Sequence, residues 1–178
     1  WKHWKSINKE PDWENLQIEV VDVWHFILSL AIEEYSKQLK GGIEDIAINV
    51  SQLESFAKID TQNDELDTQQ SIIVKVENLM RLSLSQDVFE IDEMFKEFFD
   101  LVVMSGLDLE TLYRLYVGKN ILNQFRQDNG YKDGTYIKVW ACEEDNVVMK
   151  RIWEEDSNIK PDALYKELTK IYLALNKG

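Results

Sequence analysis

Cysteine, proline, glycine and basic side chains are all scarce in this chain, and each shortage excludes something. One cysteine, Cys142, in 178 residues rules out an intramolecular disulfide framework and suits a reducing compartment, so a cytoplasmic location is expected. Only 2 prolines and 7 glycines, with no sustained run of alternating β-branched residues, leave out the punctuation that a sheet protein needs. The reading is all-α. Lys and Arg number 20 against 33 Asp and Glu, for a net charge of −13, which argues against gripping nucleic-acid backbones, so no nucleic-acid partner is expected. The apolar run around Val23 to Ile32 is short for a bilayer span and is interrupted by His25, so no membrane partner is expected either. Internal repeats, a Walker loop, a dinucleotide fingerprint, zinc-type Cys/His spacing and a serine-nucleophile elbow are missing as well.

What is present is a core. Hydrophobic residues make up 44% of the chain, enough for one domain spanning residues 1–178 and too much for disorder. The chain opens Trp1-Lys2-His3-Trp4-Lys5 without an initiator methionine, and the expectation is that N-terminal helices precede it and that a site sharing residues with them reads here as incomplete.

The stretch from Ile18 to Leu30 is almost continuously apolar, which predicts a central helix buried on most sides. At about 100° per residue, Glu19, Asp22, His25 and Ser29 fall within roughly 120° of one another. Two carboxylates one turn apart in apolar surroundings would repel each other and be costly to desolvate unless a cation sat between them. Hard carboxylate oxygens point to Mg²⁺ or Mn²⁺ at Glu19 and Asp22. Two acids alone make half a site.

Along the chain, Asp12 reads as the N-cap of a helix running to about Lys40, closed by Gly41-Gly42. Ile43, Ile46, Ala47, Val50, Leu53 and Phe56 have helical spacing. Residues 60–70 read as a mobile connection. Two further stripes, Ile72, Ile73, Val76, Leu79, Met80, Leu84 and Ile91, Phe95, Phe98, Phe99, Val102, read as core and dimer contact. Gly106 closes the second. Asp108 then starts a helix over Leu109 to Asp128 that exits through Asn129-Gly130. Its first half turns Leu109, Leu112, Tyr113, Leu115 and Tyr116 toward the core; its second half puts Lys119, Asn120, Asn123 and Arg126 on the same face. Such a stripe offers charged and amide donors suited to phosphate oxygens and a base edge. The glycine-flanked loop 130–140, with Tyr131, Lys132 and Tyr136, could close over an anion as a lid. Amphipathic helices near Asp145 to Glu154 and from Asp162 to Leu175 read as structural.

Taken together, the Trp-Lys-His-Trp-Lys start, Glu19-Val20-Val21-Asp22-Val23-Trp24-His25-Phe26, and Gly118-Lys119-Asn120-x-Leu122-Asn123-x-Phe125-Arg126-Gln127-x-Asn129-Gly130-Tyr131-Lys132-x-Gly134 closely resemble the all-α, dimeric dUTPase family. The likeness runs from Trp1 to about Trp140. It implies a multi-helix bundle of the all-α nucleoside triphosphate pyrophosphohydrolase type, working as a homodimer. It also implies Mg²⁺-dependent hydrolysis of dUTP and dUDP to dUMP, which limits uracil in DNA. By the same likeness Glu19 and Asp22 are the second of two metal-binding acidic pairs. The first pair, with the water-activating Glu, is expected upstream of Trp1. Phe26 matches the uracil-stacking aromatic, with His25 beside it; Lys119, Arg126, Tyr131 and Lys132 match phosphate-contacting positions, and Asn123 one near the sugar or base. Lys119 and Arg126 would stabilise charge on the leaving phosphate. The alternatives are a pyrophosphohydrolase of the same superfamily acting on dCTP or a modified nucleotide, and a helical interaction module with a lapsed site.

Overall fold

The carboxylate of Asp12 accepts a hydrogen bond from the Asn15 amide at 3.1 Å, the N-cap that the sequence announces, and helix α1 runs from there over Trp13–Lys37. The computed structural model describes residues 11–60, 68–84 and 91–175. Seven more helices follow among them: α2 (Ile43–Gln52), α3 (Glu54–Ala57), α4 (Gln69–Ser83), α5 (Ile91–Met104), α6 (Leu109–Asp128), α7 (Asp145–Glu155) and α8 (Pro161–Leu175). The only strands among the described residues, β1 (Val139–Trp140) and β2 (Glu143–Glu144), form one short antiparallel hairpin. The chain is all-α, as composition predicts.

Its contacts group into two compact units, residues 1–108 and 109–178. In the first, α1 packs on α5 and α2, and α4 packs on α5. The α5 stripe behaves as expected: Phe95, Phe98 and Phe99 are all fully buried, and Trp24 of α1 stacks on Phe98 with ring centroids 4.8 Å apart. Lys75 of α4 is held between Glu97 and Asp100 of α5 at 3.1 and 3.0 Å.

Helix α1 departs from expectation in two ways. Helix α1 is not buried on most sides: Ile18, Val20, Val21, Ile27, Ala31 and Tyr35 form one inward stripe, while Val23, Phe26 and Ile32 are exposed. Nor is its length a bar to spanning a bilayer, since over 25 residues it is long and apolar enough by composition. The α4 stripe is likewise split, with Ile72 and Leu79 buried and Ile73, Val76, Met80 and Leu84 exposed. The predicted connection 60–70 falls largely on residues outside those described; Thr68 already caps α4, accepting from the Ser71 amide at 3.2 Å.

The second unit is built on α6, whose observed ends, Leu109 and Asp128, are those the sequence predicts. Its exit is a Schellman motif. Tyr131 N–H reaches Arg126 O at 2.9 Å, Gly130 N–H reaches Gln127 O at 3.3 Å, and Gly130 sits at φ +87°. Phe125, fully buried, is ringed edge-on by Tyr136, Trp140, Tyr165 and Tyr172 at centroid distances of 5.4–6.2 Å. Gly118 lets α7 come close: a Cβ there would lie 2.8 Å from Met149 Sδ.

Candidate functional site

On α1 the acidic pair stands one turn apart. Glu19 is exposed and Asp22 half-buried, so burial does not compel a cation to sit at Glu19; what remains is their shared face and their hard oxygen donors. Among the described residues no group of three or more Asp, Glu, His or Cys gathers in a way that could hold a metal. Two carboxylates still fit Mg²⁺, which commonly keeps several waters and takes one or two protein carboxylates together with phosphate oxygens. His25 Nδ1 lies 2.9 Å from the Val21 carbonyl, so that nitrogen is the donor, and Ser29 Oγ donates back to His25 O at 2.9 Å.

Phe26 presents its ring to the surface, 75% exposed. It borders a groove of about 220 Å³ between α1, α4 and α5, lined by Val23, Ile27, Leu79, Met80 and Met94. Hydrocarbon lies on nearly every wall. An exposed ring beside such a groove can stack a planar base and shield one of its faces.

In the second unit, α6 brings three of the four stripe residues together. Lys119 is buried, Asn123 and Arg126 half-buried, and Asn120 exposed. The Lys119 Nζ lies 3.3 Å from Asn146 Oδ1, and Arg126 Nη2 lies 3.2 Å from the same oxygen. Two cationic groups thus converge on one neutral amide oxygen, an arrangement that suits an anionic oxygen better.

The stripe also has a counter-charge that sequence reasoning missed. Asp145, the first residue of α7, is fully buried and takes the Arg126 guanidinium side-on, Nε at 2.8 Å and Nη2 at 2.7 Å. Arg126 Nη1 donates to Asn123 Oδ1 at 3.1 Å. Arg126 is therefore not an unaccompanied cation, as the bare stripe implied. Burial alone would lower its pKa, but the Asp145 hydrogen bond and charge outweigh that and hold it above the usual value. Tyr136 donates its hydroxyl to Asp145 Oδ2 at 2.7 Å, and burial, reinforced by Asp145, raises that hydroxyl well above the ordinary tyrosine range.

Nothing in the sequence singled out Asp145. It ends the acidic run Glu143-Glu144-Asp145, whose first two members are exposed. Tyr131 is 55% exposed with its ring 6.0 Å from that of Tyr136, and Lys132 is exposed on the turn. The loop 130–140 is pinned at its far end: Tyr136 stacks on Tyr172, the Ile137 amide donates to the Tyr172 hydroxyl at 3.0 Å, and Trp140 is buried. The exposed stretch next to α6 is 131–135.

The family model described as dUTPase matches residues 1–131. No curated protein matches the chain.

Proposed function

The chain belongs to the dUTPase family, and from that premise we propose that it hydrolyses dUTP, and dUDP, to dUMP in a Mg²⁺-dependent reaction. The observation that carries the reading is the pairing of Lys119 and Arg126 around one oxygen position, 3.3 and 3.2 Å from Asn146 Oδ1. A protein of charge −13 needs local positive charge to hold a polyphosphate, and this cluster, in which Lys119 and Arg126 outnumber the Asp145 counter-charge, supplies some of it.

Each part of the substrate has a candidate partner. Phe26 would stack the base over the apolar groove, with His25 next to it on the helix; Asn123 would contact the sugar or base. Lys119, Arg126 through its second Nη2 hydrogen, Tyr131 and Lys132 would contact phosphates, and Lys119 and Arg126 would stabilise charge on the leaving group. Glu19 and Asp22 would hold Mg²⁺, which neutralises phosphate oxygens and lowers the pKa of attacking water. The exposed apolar residues Ile73, Val76 and Met80 of α4 and Leu84 just after it support a homodimer, and the lone exposed Cys142 suits a cytoplasmic setting.

The experiment is turnover of dUTP, dUDP, dCTP and dTTP by the protein with Mg²⁺, following nucleoside monophosphate and pyrophosphate or phosphate. Preference for dUTP with dUMP as product is expected, with at least a hundredfold loss in kcat for Glu19→Ala. Equal turnover of dCTP would move the assignment to another pyrophosphohydrolase. No turnover together with Mg²⁺ binding indifferent to Glu19→Ala would leave an interaction module.

A further inference from the structure

Asp145 is a fully buried carboxylate with four donors on two oxygens. Oδ1 accepts from Arg126 Nη2 at 2.7 Å and from the Asn146 amide at 2.9 Å; Oδ2 accepts from Arg126 Nε at 2.8 Å and from the Tyr136 hydroxyl at 2.7 Å. Side-on engagement of both Nε and Nη2 fixes the plane of the guanidinium as well as its position. Because a buried ion pair is often no more stabilising than well-packed hydrocarbon of the same volume, stability by itself is a weak account of why one is kept here. Orientation is a better one. With its Nε–Nη2 edge committed, Arg126 has its Nη1 edge turned toward Asn123, and its second Nη2 hydrogen is directed at the point shared with Lys119 Nζ.

The elements that impose this orientation are not those that the family match covers. Lys119, Asn123 and Arg126 lie within residues 1–131, whereas Tyr136, Asp145 and Asn146 lie beyond them, on the pinned loop and the start of α7. The structure assigns to Asp145 the part of a positioning residue, supported by Tyr136, that holds the Arg126 guanidinium in the orientation in which it and Lys119 together receive a phosphate oxygen. This rests on the phosphate-binding part of the function proposed above, and it makes the segment after residue 131 a working part of the anion site.

The test uses the full chain and two readouts, calorimetric binding of inorganic pyrophosphate and steady-state kinetics with dUTP. Asp145→Asn keeps the size of the side chain but cannot offer two anionic oxygens. At a temperature well below its melting point it should bind pyrophosphate about tenfold or more weakly and raise KM for dUTP by a similar factor. In an Arg126→Ala background the same change should make no further difference, because Asp145 acts through Arg126. Tyr136→Phe, which removes one donor and leaves the ion pair, should weaken binding about threefold. Unchanged or tighter pyrophosphate binding by a folded Asp145→Asn protein overturns the inference, as does a loss that multiplies with Arg126→Ala. Should Asp145→Asn fail to fold, Tyr136→Phe decides, and an unaltered affinity there overturns it. A protein that binds pyrophosphate in an Asp145-dependent way but leaves dUTP intact keeps this inference and removes the proposed function; active dUTP hydrolysis indifferent to both variants does the reverse.

Discussion

Gly118→Ala is the sharpest probe of how the second unit is held together. Alanine is worth about 1 kcal/mol more than glycine inside a helix, so at an open site the change would stabilise. Gly118 is not open: its new Cβ would lie 2.8 Å from Met149 Sδ, 3.4 Å from Cε and 3.5 Å from Cγ. The methionine is itself fully buried and has little room to give. Overpacking of this kind costs about 1–3 kcal/mol, so the net expectation is a loss of about 1 kcal/mol, or about 2–4 °C in melting temperature for a chain of this size. The control is Met149→Ala, which by itself should cost about 2–5 kcal/mol through the cavity it leaves. In that background the obstacle is gone, and Gly118→Ala should stabilise by about 1 kcal/mol. Melting the four proteins of the cycle therefore gives a coupling of about 2 kcal/mol between the two positions. If Gly118→Ala raises the melting temperature equally in both backgrounds, the close approach of α6 and α7 is not what glycine serves there.

Two more expectations come from the loop that joins these helices. Ala141 and Cys142, both exposed, occupy the centre of the hairpin at φ +48° and +76°, a left-handed conformation costly for residues with a Cβ. Replacing them with Asn-Gly should raise the denaturation midpoint by the equivalent of about 1 kcal/mol, after the greater unfolded-state entropy of glycine is subtracted; a lower midpoint would contradict the turn geometry. Tyr136 is held un-ionised above the ordinary tyrosine value of 10.0, so its contribution is fully present below pH 10 and is lost as pH rises toward the folded-state value. Absorbance titration should show fewer tyrosines ionising near pH 10 in the folded protein than in the unfolded chain, since Tyr35 and Tyr165 are raised as well, and Tyr136→Phe should shrink that deficit by one. A Tyr136→Phe protein with the same alkaline stability profile as the wild type would refute this.

Helix ends were largely legible. Asp12 and Gly130 do what their chemistry predicts because capping is local, decided within four or five residues. The end of α1 was less so. Leu39 at φ +54°, not the neighbouring glycines, closes a Schellman motif through Lys40 N–H to Tyr35 O at 2.9 Å and Leu39 N–H to Ser36 O at 3.3 Å. The β-hairpin escaped notice for a related reason: its turn carries Ala-Cys where the usual signal is Asn-Gly.

The exposed side of α1 shows a different limit. Val23 and Phe26 are as apolar as Val21 and Ile27, yet the first two are exposed and the last two buried. Periodicity marks a stripe as able to be buried, and only the placement of α4 and α5 decides which part of it is.

The sequence by itself determined the helical class, the bounds of α6, the shared face of Glu19 and Asp22, and the alignment of Lys119, Asn123 and Arg126. All of these follow from the helical repeat and from caps acting over a few bonds. Tertiary structure alone decided that Arg126 would meet Asp145, 19 residues away, and that Tyr136 would brace the pair. A counter-charge drawn from another element is selected by how helices pack, and no local pattern of residue types encodes which of three adjacent acids will turn inward.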